Sequence, residues 1–267
     1  MYTYDEIMRQ CEWWIELPKL VRGHRAGLDA FLERHAGADG VVCFIGAGSS
    51  EYVGRAILPY LKKYCPYAVD CCGTTDLVVA PESCVDPDRK TVLVSFARSG
   101  DSPESIGAIK AAQAVSDNIS NVIITCNYDG ALSKYGKGRD DCYVINLPQI
   151  INDSGFAMTN SFTSMYYTAM LCFAGDKTAE CAAAISQCAE HTDRLLRSAV
   201  ETLAQRVCEL EFERIVYLGS EALKGIAQES ALKMLELTRG GVASLYDTPM
   251  GFRHGPKSFI NDRTLTV

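Results

Sequence analysis

The sequence lacks the long apolar run that a membrane span requires. No apolar stretch approaches the roughly 20 residues of a transmembrane helix, so no membrane partner is expected. The first ten residues, MYTYDEIMRQ, carry acidic side chains and no apolar core, so they do not predict a signal peptide. Excess positive charge is missing too. The formal net charge of −7 argues against a nucleic-acid-binding surface but not against a small phosphorylated ligand.

Metal-binding and disulfide patterns are also missing, although cysteine is abundant. The chain has twelve cysteines but no C-x-x-C pair, and no second histidine lies at ligand spacing from His254. Most of the cysteines lie in apolar stretches, such as Cys43 in VVCFIG and Cys126 in VIITCN. A reduced thiol packs there as a small hydrophobic group. The pattern predicts a reduced, cytoplasmic protein without a metal site.

Strand and helix patterns alternate along most of the chain. Residues 3–36 are predicted to be helical, opening with a capping box of Thr3 and Glu6 and broken near Pro18. From residue 41, short apolar runs alternate with stretches of helical period, which is typical of buried parallel strands connected by helices. Two long helices, at 159–174 and 178–207, are predicted to close this unit.

A weak internal repeat predicts two related units. Residues 213–235 echo residues 39–61 as strand, turn and helix, and the final RTLTV takes the place that KTVLVSF holds in the first unit. The predicted fold class is α/β: an open parallel sheet with helices on both faces, two similar units with the second truncated, and N-terminal helices. The predicted domains are an N-terminal helical segment at 1–38, a first unit at 39–205 and an incomplete second unit at 206–267.

The serine-rich stretch SFARSGDSPES follows a strand pattern fit for a protein core. Ligands of open parallel sheets bind beyond the carboxyl ends of the strands, and the N–H groups of a helix N-terminus attract phosphate. Ser99, Gly100 and Ser102 therefore predict a phosphate-binding turn, with Pro103 opening the next helix. An alternative interpretation is that Ser102 only caps that helix.

A second turn, GAGSSE at 46–51, has a rival interpretation. Gly46 and Gly48 begin a dinucleotide-binding pattern, but Glu51 occupies the third glycine position, where its carboxylate would meet a pyrophosphate. Ser49 and Ser50 instead favour a second wall of a sugar-phosphate site.

The predicted helix after IVYLGS carries a separate charged stripe. Glu229, Lys233 and Glu236 follow i, i+4, i+7 spacing, apart from the helix's ordinary solvated face. An exposed ion pair between Glu229 and Lys233 is the simpler interpretation. Beside a phosphate site, a carboxylate flanked by a lysine is what proton transfer at carbon needs. His254, in the Gly/Pro-rich GFRHGPKS, is predicted to be a loop residue placed to reach a ligand.

Five ordered motifs resemble the sugar isomerase (SIS) family over nearly the whole chain: GAGSS, SFARSGDSPES, DSGFAMTNSFTS, QESALKMLELT and GFRHGPKS. Within the family they are most similar to the tagatose-6-phosphate ketose/aldose isomerases, also called galactosamine-6-phosphate deaminase/isomerases. The resemblance implies a substrate site formed by Ser50, Ser99 and Ser102 at the phosphate and Ser49 near the sugar. Glu229, on the charged stripe, is a further candidate substrate-binding residue. It further implies Glu236 as the enolising base, Lys233 as its neighbour and His254 as the residue that opens the sugar ring.

A more distant resemblance, to the isomerase domain of glucosamine-6-phosphate synthase, carries two further implications. The matching histidine of that domain comes from the neighbouring subunit, which implies a homodimer or higher oligomer with shared sites here. The synthase turn reads Ser-Gln-Ser-Gly, whereas this chain reads Ala97-Arg98-Ser99-Gly100. One phosphate hydroxyl is therefore lost, and Arg98 is expected to compensate for it.

The function expected from these motifs is that of an amino-sugar-phosphate deaminase/isomerase. It would convert galactosamine 6-phosphate to tagatose 6-phosphate and ammonia through an enolamine, without a metal or an organic cofactor. A plain aldose/ketose isomerase of tagatose 6-phosphate, which releases no ammonia, stays open. So does a non-catalytic sugar-phosphate sensor, which has no use for Glu236 and His254. No motif distinguishes galacto from gluco stereochemistry at C4.

Overall fold

The computed structural model describes residues 2–267 and contains two parallel β-sheets. The strands are β1 (Val41–Gly46), β2 (Ala68–Gly73), β3 (Thr91–Ala97), β4 (Ile119–Thr125), β5 (Cys142–Asn146), β6 (Arg214–Leu218), β7 (Ala243–Asp247) and β8 (Thr264–Thr266). The larger sheet has the order β2-β1-β3-β4-β5 and the smaller one the order β7-β6-β8. All of these strand pairs are parallel.

Helices connect the strands and precede them at the N-terminus. Those of the described residues are α1 (Tyr2–Trp14), α2 (Leu17–His35), α3 (Ser49–Tyr64), α4 (Thr74–Val79), α5 (Pro81–Cys84), α6 (Pro103–Val115), α7 (Ala131–Gly136), α8 (Asn160–Phe173), α9 (Thr178–Ser198), α10 (Val200–Cys208), α11 (Ala222–Leu237) and α12 (Pro249–Phe252). Within this part of the chain, none of them has the length and apolar character needed to cross a bilayer.

The larger sheet is buried on both faces. Every residue of β3 and β4 is buried, and alternate side chains of a strand point to opposite faces. Val92, Val94 and Phe96 pack with residues of α2, α3 and α8, whereas Leu93 packs with residues of α4 and α6. This arrangement confirms the predicted α/β class, a parallel sheet covered by helices on both sides.

The N-terminal helices confirm one prediction and correct another. Pro18 lies in the first turn of α2, just after the break between α1 and α2, as predicted. The predicted capping box is wrong, because Thr3 lies inside α1. The carboxylate of Glu6 instead accepts the N–H groups of Ser154 and Gly155 at 2.6 and 3.0 Å. Glu6 thus ties α1 to the loop between β5 and α8.

The long helix predicted over 178–207 is interrupted. Helix α9 ends at Ser198 and α10 begins at Val200. Ala199 between them has a φ of −135° and a ψ of −19°, outside the helical region. No glycine or proline marks this position, so the helical period of the sequence runs through the break.

The smaller sheet repeats the topology of part of the larger one. Its order β7-β6-β8 corresponds to β2-β1-β3, with the first strand of each unit in the middle. The turn after each of these strands also has the same backbone conformation. Gly48 has φ and ψ of 55° and −127°, and Glu221 has 52° and −123°. The internal repeat of the sequence is therefore present in the backbone.

Close packing of α11 on α3 positions the charged stripe. A Cβ at Gly225 would lie 2.5 Å from the Cα of Ala56, so only glycine permits this approach of the two helices. Lys63, in the last turn of α3, contacts Glu221 just before α11. The helices therefore run antiparallel, and the C-terminal half of α11 reaches the N-terminus of α3.

Candidate active site

The site lies where the order of the larger sheet reverses, between β1 and β3. In a sheet of order 2-1-3-4-5, ligands bind at this point, outside the carboxyl ends of the strands. Strands β1 and β3 pair directly, with Ile45 opposite Ser95. The two serine-containing turns therefore leave the sheet side by side, and each leads into a helix N-terminus.

The turn after β1 brings two hydroxyls to the start of α3. Gly46 permits the close approach of strand and helix, because a Cβ there would lie 2.4 Å from the carbonyl carbon of Ser50. Gly48 has a φ of +55°, which favours glycine. Ser49 and Ser50 occupy the first two positions of α3 and are buried. Hydroxyls at a helix N-terminus, next to its N–H groups, suit an anion.

The turn after β3 carries two more of the sequence-predicted phosphate ligands. Gly100 has a φ of +67°, and the Ser99 hydroxyl accepts the N–H of Asp101 at 3.3 Å. Ser102 stands at the N-cap of α6, but its exposed side chain makes no capping hydrogen bond. Ser102 therefore occupies the predicted N-cap position while its hydroxyl stays exposed, and its role as a phosphate ligand stays a prediction.

Arg98, between β3 and this turn, holds a neighbouring loop. Its Nη1 donates to the carbonyl oxygens of Gly155 and Phe156, at 2.9 and 3.2 Å. The other guanidinium nitrogens make no hydrogen bond within the described residues. Compensation by Arg98 for the lost phosphate hydroxyl stays a prediction. What the structure adds is its role as an anchor for the loop.

A buried carboxylate organises that loop, which connects β5 to α8. Asp153 accepts the N–H groups of Thr159 and Ser161, both at 2.9 Å. It thereby satisfies backbone donors at the start of α8 that have no partner within the helix. The loop carries Met158, whose sulfur lies 4.0 Å from the hydroxyl oxygen of Ser50. The loop therefore borders the first serine turn.

The charged stripe of α11 faces the first serine turn rather than solvent. Nζ of Lys233 donates to Oε2 of Glu236 at 2.5 Å and to the hydroxyl of Ser49 at 2.9 Å. It also lies 3.2 Å from Oε1 of Glu229. The side chains of Lys233, Glu229 and Glu236 are only 16%, 6% and 20% exposed. The simpler interpretation, an exposed ion pair, is therefore wrong.

Glu229 is a buried carboxylate whose oxygens make no hydrogen bond of ordinary geometry within residues 2–267. Its polar neighbours are Nζ of Lys233, 3.2 Å from Oε1, and the hydroxyl of Ser49. Burial raises the pKa of Glu229 from 4.5 to about 7, although the charge of Lys233 acts in the opposite direction. A carboxyl group with a pKa near neutrality can both hold and release a proton under working conditions.

Replacing Glu229 by glutamine is expected to flatten the pH dependence of stability. The folded-state pKa is raised, so the folded protein keeps a proton that the unfolded chain loses as the pH rises from 4.5 to about 7. The wild type should therefore lose up to about 3 kcal/mol of unfolding free energy across this window, and Glu229→Gln should not. Urea unfolding at several pH values measures the difference. Glu190→Gln, on the exposed side of α9, should follow the wild type. Equal slopes for the wild type and Glu229→Gln would contradict a buried ionisation.

A cavity of about 560 Å³ borders the stripe. Glu229 and Lys233 line one side of it, Met158 and Thr159 another, and Gln10 of α1 contributes as well. Its volume falls within the range of about 300–1,000 Å³ that small-molecule sites occupy. The participation of α1 was missed by the sequence analysis, because no motif distinguishes Gln10 from other polar residues of an amphipathic helix.

The side chain of His254 does not contact the stripe. His254 is exposed, and its backbone N–H bonds the carbonyl of Gly251 at 2.9 Å. In the described part of the chain, no hydrogen bond or ion pair links its side chain to the stripe. Its role at a shared site therefore stays a prediction. From Tyr2 to Val267, no three His, Cys, Asp or Glu side chains converge as metal ligands.

The parallel sheet of order 2-1-3-4-5, flanked by helices, matches the fold of SIS-type sugar-phosphate isomerases. A D-galactosamine-6-phosphate deaminase of Escherichia coli, AgaS, is 36% identical over 276 residues, covering 100% of this chain and 69% of that protein. The crystal structure of tagatose-6-phosphate ketose/aldose isomerase from Escherichia coli matches with a TM-score of 0.94 and 36% identity, covering 100% of this chain and 72% of that one. The chain belongs to the AgaS family.

More distant structures share the fold alone. The C-terminal domain of glucosamine-fructose-6-phosphate aminotransferase from Francisella tularensis matches with a TM-score of 0.75 at 16% identity. The match covers 100% of this chain and 74% of that domain's chain. No protein-family model matches the chain.

Proposed function

We propose that the protein is an amino-sugar-phosphate deaminase/isomerase that converts galactosamine 6-phosphate and water to tagatose 6-phosphate and ammonia. A similar protein is named D-galactosamine-6-phosphate deaminase, and a similar crystal structure is named tagatose-6-phosphate ketose/aldose isomerase. These names support the proposed substrate and product. The observation that carries the proposal is the position of Lys233, which hydrogen-bonds both Glu236 and Ser49. A proton-accepting carboxylate is thereby held next to an anion-binding turn.

The phosphate is gripped at the two serine turns. The hydroxyls of Ser50, Ser99 and Ser102 donate to its oxygens, and the N-termini of α3 and α6 supply further N–H donors and favourable dipoles. The exposed, uncapped Ser102 hydroxyl and the open nitrogens of Arg98 support this assignment. With C6 fixed in this way, the sugar extends toward the stripe on α11.

Proton transfer takes place between C2 and C1 of the open-chain sugar. The carboxylate of Glu236 removes the C2 proton to give an enolamine and returns a proton to C1, leaving an imine at C2. Water adds to this imine, ammonia leaves, and the ketose 6-phosphate remains. The ammonium of Lys233 stabilises the negative charge that develops on the sugar oxygen.

Glu229 contacts the substrate as a second carboxyl group. Because its pKa is raised to about 7 by burial, it carries a proton for part of the time at neutral pH. It is therefore suited to protonate the departing nitrogen, while Glu236 acts at carbon. Two carboxyl groups in different environments thus divide the acid and base roles.

Ammonia release tests the proposal. The purified protein is incubated with galactosamine 6-phosphate, and ammonia and ketose 6-phosphate are measured together. Equal amounts of the two products are expected. Interconversion of aldose and ketose 6-phosphates without ammonia would show a plain isomerase. Saturable binding without either reaction would show a sensor.

Replacing Ser102 by alanine should weaken substrate binding without affecting stability. Its hydroxyl makes no capping bond, so the helix loses nothing, whereas the phosphate loses a charge-assisted hydrogen bond. We expect KM to rise about ten-fold, with Tm unchanged. The control is Ser83→Ala, an exposed serine in α5. An unchanged KM would remove Ser102 from the phosphate site.

We further propose a homodimer in which His254 completes the site of the neighbouring subunit and helps to open the sugar ring. Its exposure and its lack of contact with the stripe of its own chain support this arrangement. A cytoplasmic location remains the prediction made from the sequence.

Mixing two inactive variants tests the shared site. Subunits of Glu236→Gln and His254→Ala, exchanged in equal amounts, should form mixed dimers that each contain one intact site. Activity should then return to about a quarter of the wild-type value, because half of the dimers are mixed. If each site uses its own histidine, the mixture will stay inactive.

A further inference from the structure

We propose that Gln10 of α1 is a specificity-determining residue that reads the C4 hydroxyl of the sugar. This inference rests on the proposed function, which assigns the phosphate on C6 to the serine turns and the proton transfer to C1 and C2. The hydroxyls of C3 and C4, between these two anchors, then face the cavity that Gln10 lines together with Glu229 and Lys233. Galactosamine and glucosamine 6-phosphates differ only at C4.

The uncharged polar side chains around the cavity are mostly committed to protein partners. The hydroxyl of Thr159 donates to Asp153 at 3.3 Å, and that of Ser230 donates to the carbonyl of Ile226 at 2.9 Å. Both are therefore turned toward the protein rather than toward a ligand. The amide of Gln10 differs, because only one of its two ends contacts a hydrogen-bonding group among residues 2–267.

Thr163 holds one end of this amide. The indole of Trp14 can only donate, so it donates to the Thr163 hydroxyl oxygen, at 3.0 Å. The Thr163 hydroxyl lies 3.2 Å from Oε1 of Gln10 and also 3.3 and 3.2 Å from the carbonyl oxygens of Thr159 and Asn160. One end of the amide is thus placed against Thr163. The other end remains for a ligand in the cavity that Gln10 lines.

Contacts on either side of Gln10 hold helix α1 in place, so the Gln10 amide has a fixed position. Glu6, one turn before Gln10, binds the N–H groups of Ser154 and Gly155. Trp14, one turn after it, packs edge-on against Tyr167 with ring centroids 5.0 Å apart. Discrimination between epimers requires a donor held in place, because a mobile side chain follows the hydroxyl to either position.

An amide group at a fixed position favours the epimer whose hydroxyl it meets. The other epimer leaves that end of the amide unpaired in a partly buried site, which penalises its binding. The phosphate turns and the stripe cannot make this distinction, since they contact parts of the sugar that the two epimers share. The α1 wall is therefore where galacto can be distinguished from gluco.

Binding measurements in the Glu236→Gln background test the inference separately from turnover. Dissociation constants for galactosamine 6-phosphate and glucosamine 6-phosphate are measured by calorimetry, with and without Gln10→Ala. A second variant, Gln10→Met, keeps the side-chain volume and the packing of α1. Arg9→Ala, an exposed neighbour on the same helix, is the control.

We expect both Gln10 variants to lower the preference for the galacto epimer about ten-fold, and Arg9→Ala to leave it unchanged. A preference within two-fold of the parent in Gln10→Met would overturn the inference, whether or not the wild type releases ammonia. If the wild type releases no ammonia but the preference still changes, the proposed reaction is wrong and the role of Gln10 stands.

Discussion

Glu236→Gln should lower kcat for ammonia release by about two to four orders of magnitude, with substrate affinity nearly unchanged. The amide cannot accept the C2 proton, so the step that forms the enolamine is lost. Its carbonyl oxygen can still accept the hydrogen bond of Lys233, which is 2.5 Å long in the wild type. The geometry of the stripe and the phosphate turns should therefore persist.

Steady-state ammonia assays and calorimetric binding measure the two effects independently. Glu190→Gln makes the same chemical change on the exposed face of α9 and should retain wild-type kinetics. If Glu236→Gln keeps turnover within about three-fold of the wild type, another group removes the proton. If it loses affinity and turnover together, Glu236 acts in binding rather than at the transition state.

Lys233→Met should destabilise the protein in a pH-dependent way and abolish activity. Among residues 2–267, Lys233 is the one cation in contact with both carboxylates of the stripe, Glu229 and Glu236. Removing one member of a buried ion pair leaves an uncompensated charge, which costs about 3–5 kcal/mol. We expect a loss of this size in unfolding free energy near pH 8. It should be smaller near pH 5, because the buried Glu229 is then protonated in the folded state.

Urea unfolding of two further variants separates charge from packing. Lys224→Met lies on the exposed side of the same helix and should change the unfolding free energy by less than about 0.5 kcal/mol. Adding Glu229→Gln to Lys233→Met should restore much of the stability near pH 8, but no activity. A destabilisation that is equal at both pH values, with no rescue, would mean that Lys233 acts by packing alone.

The sequence predicts those parts of the fold and site that depend on residues close together in the chain. The strands of the larger sheet are short apolar runs, and the serine turns follow them directly. The stripe of Glu229, Lys233 and Glu236 follows from the period of a helix. Its burial does not, because it depends on Gly225 letting α11 approach α3, a contact between residues far apart in the chain.

What the sequence does not predict depends on long-range packing. The sequence predicts that Glu6 forms a local capping box with Thr3, yet its carboxylate accepts the backbone N–H of Ser154, 148 positions away. Gln10 reaches the cavity because α1 packs against α8, which is distant in the chain. The break at Ala199 carries no glycine or proline, and the raised pKa of Glu229 comes from burial that no spacing rule reports.

A crystal structure of Glu236→Gln with galactosamine 6-phosphate tests the central claim most directly. The phosphate should lie within about 3.2 Å of the hydroxyls of Ser50, Ser99 and Ser102. The side chain at position 236 should lie within about 3.5 Å of C1 or C2. A phosphate bound away from both serine turns, or sugar carbons beyond the reach of α11, would contradict the account.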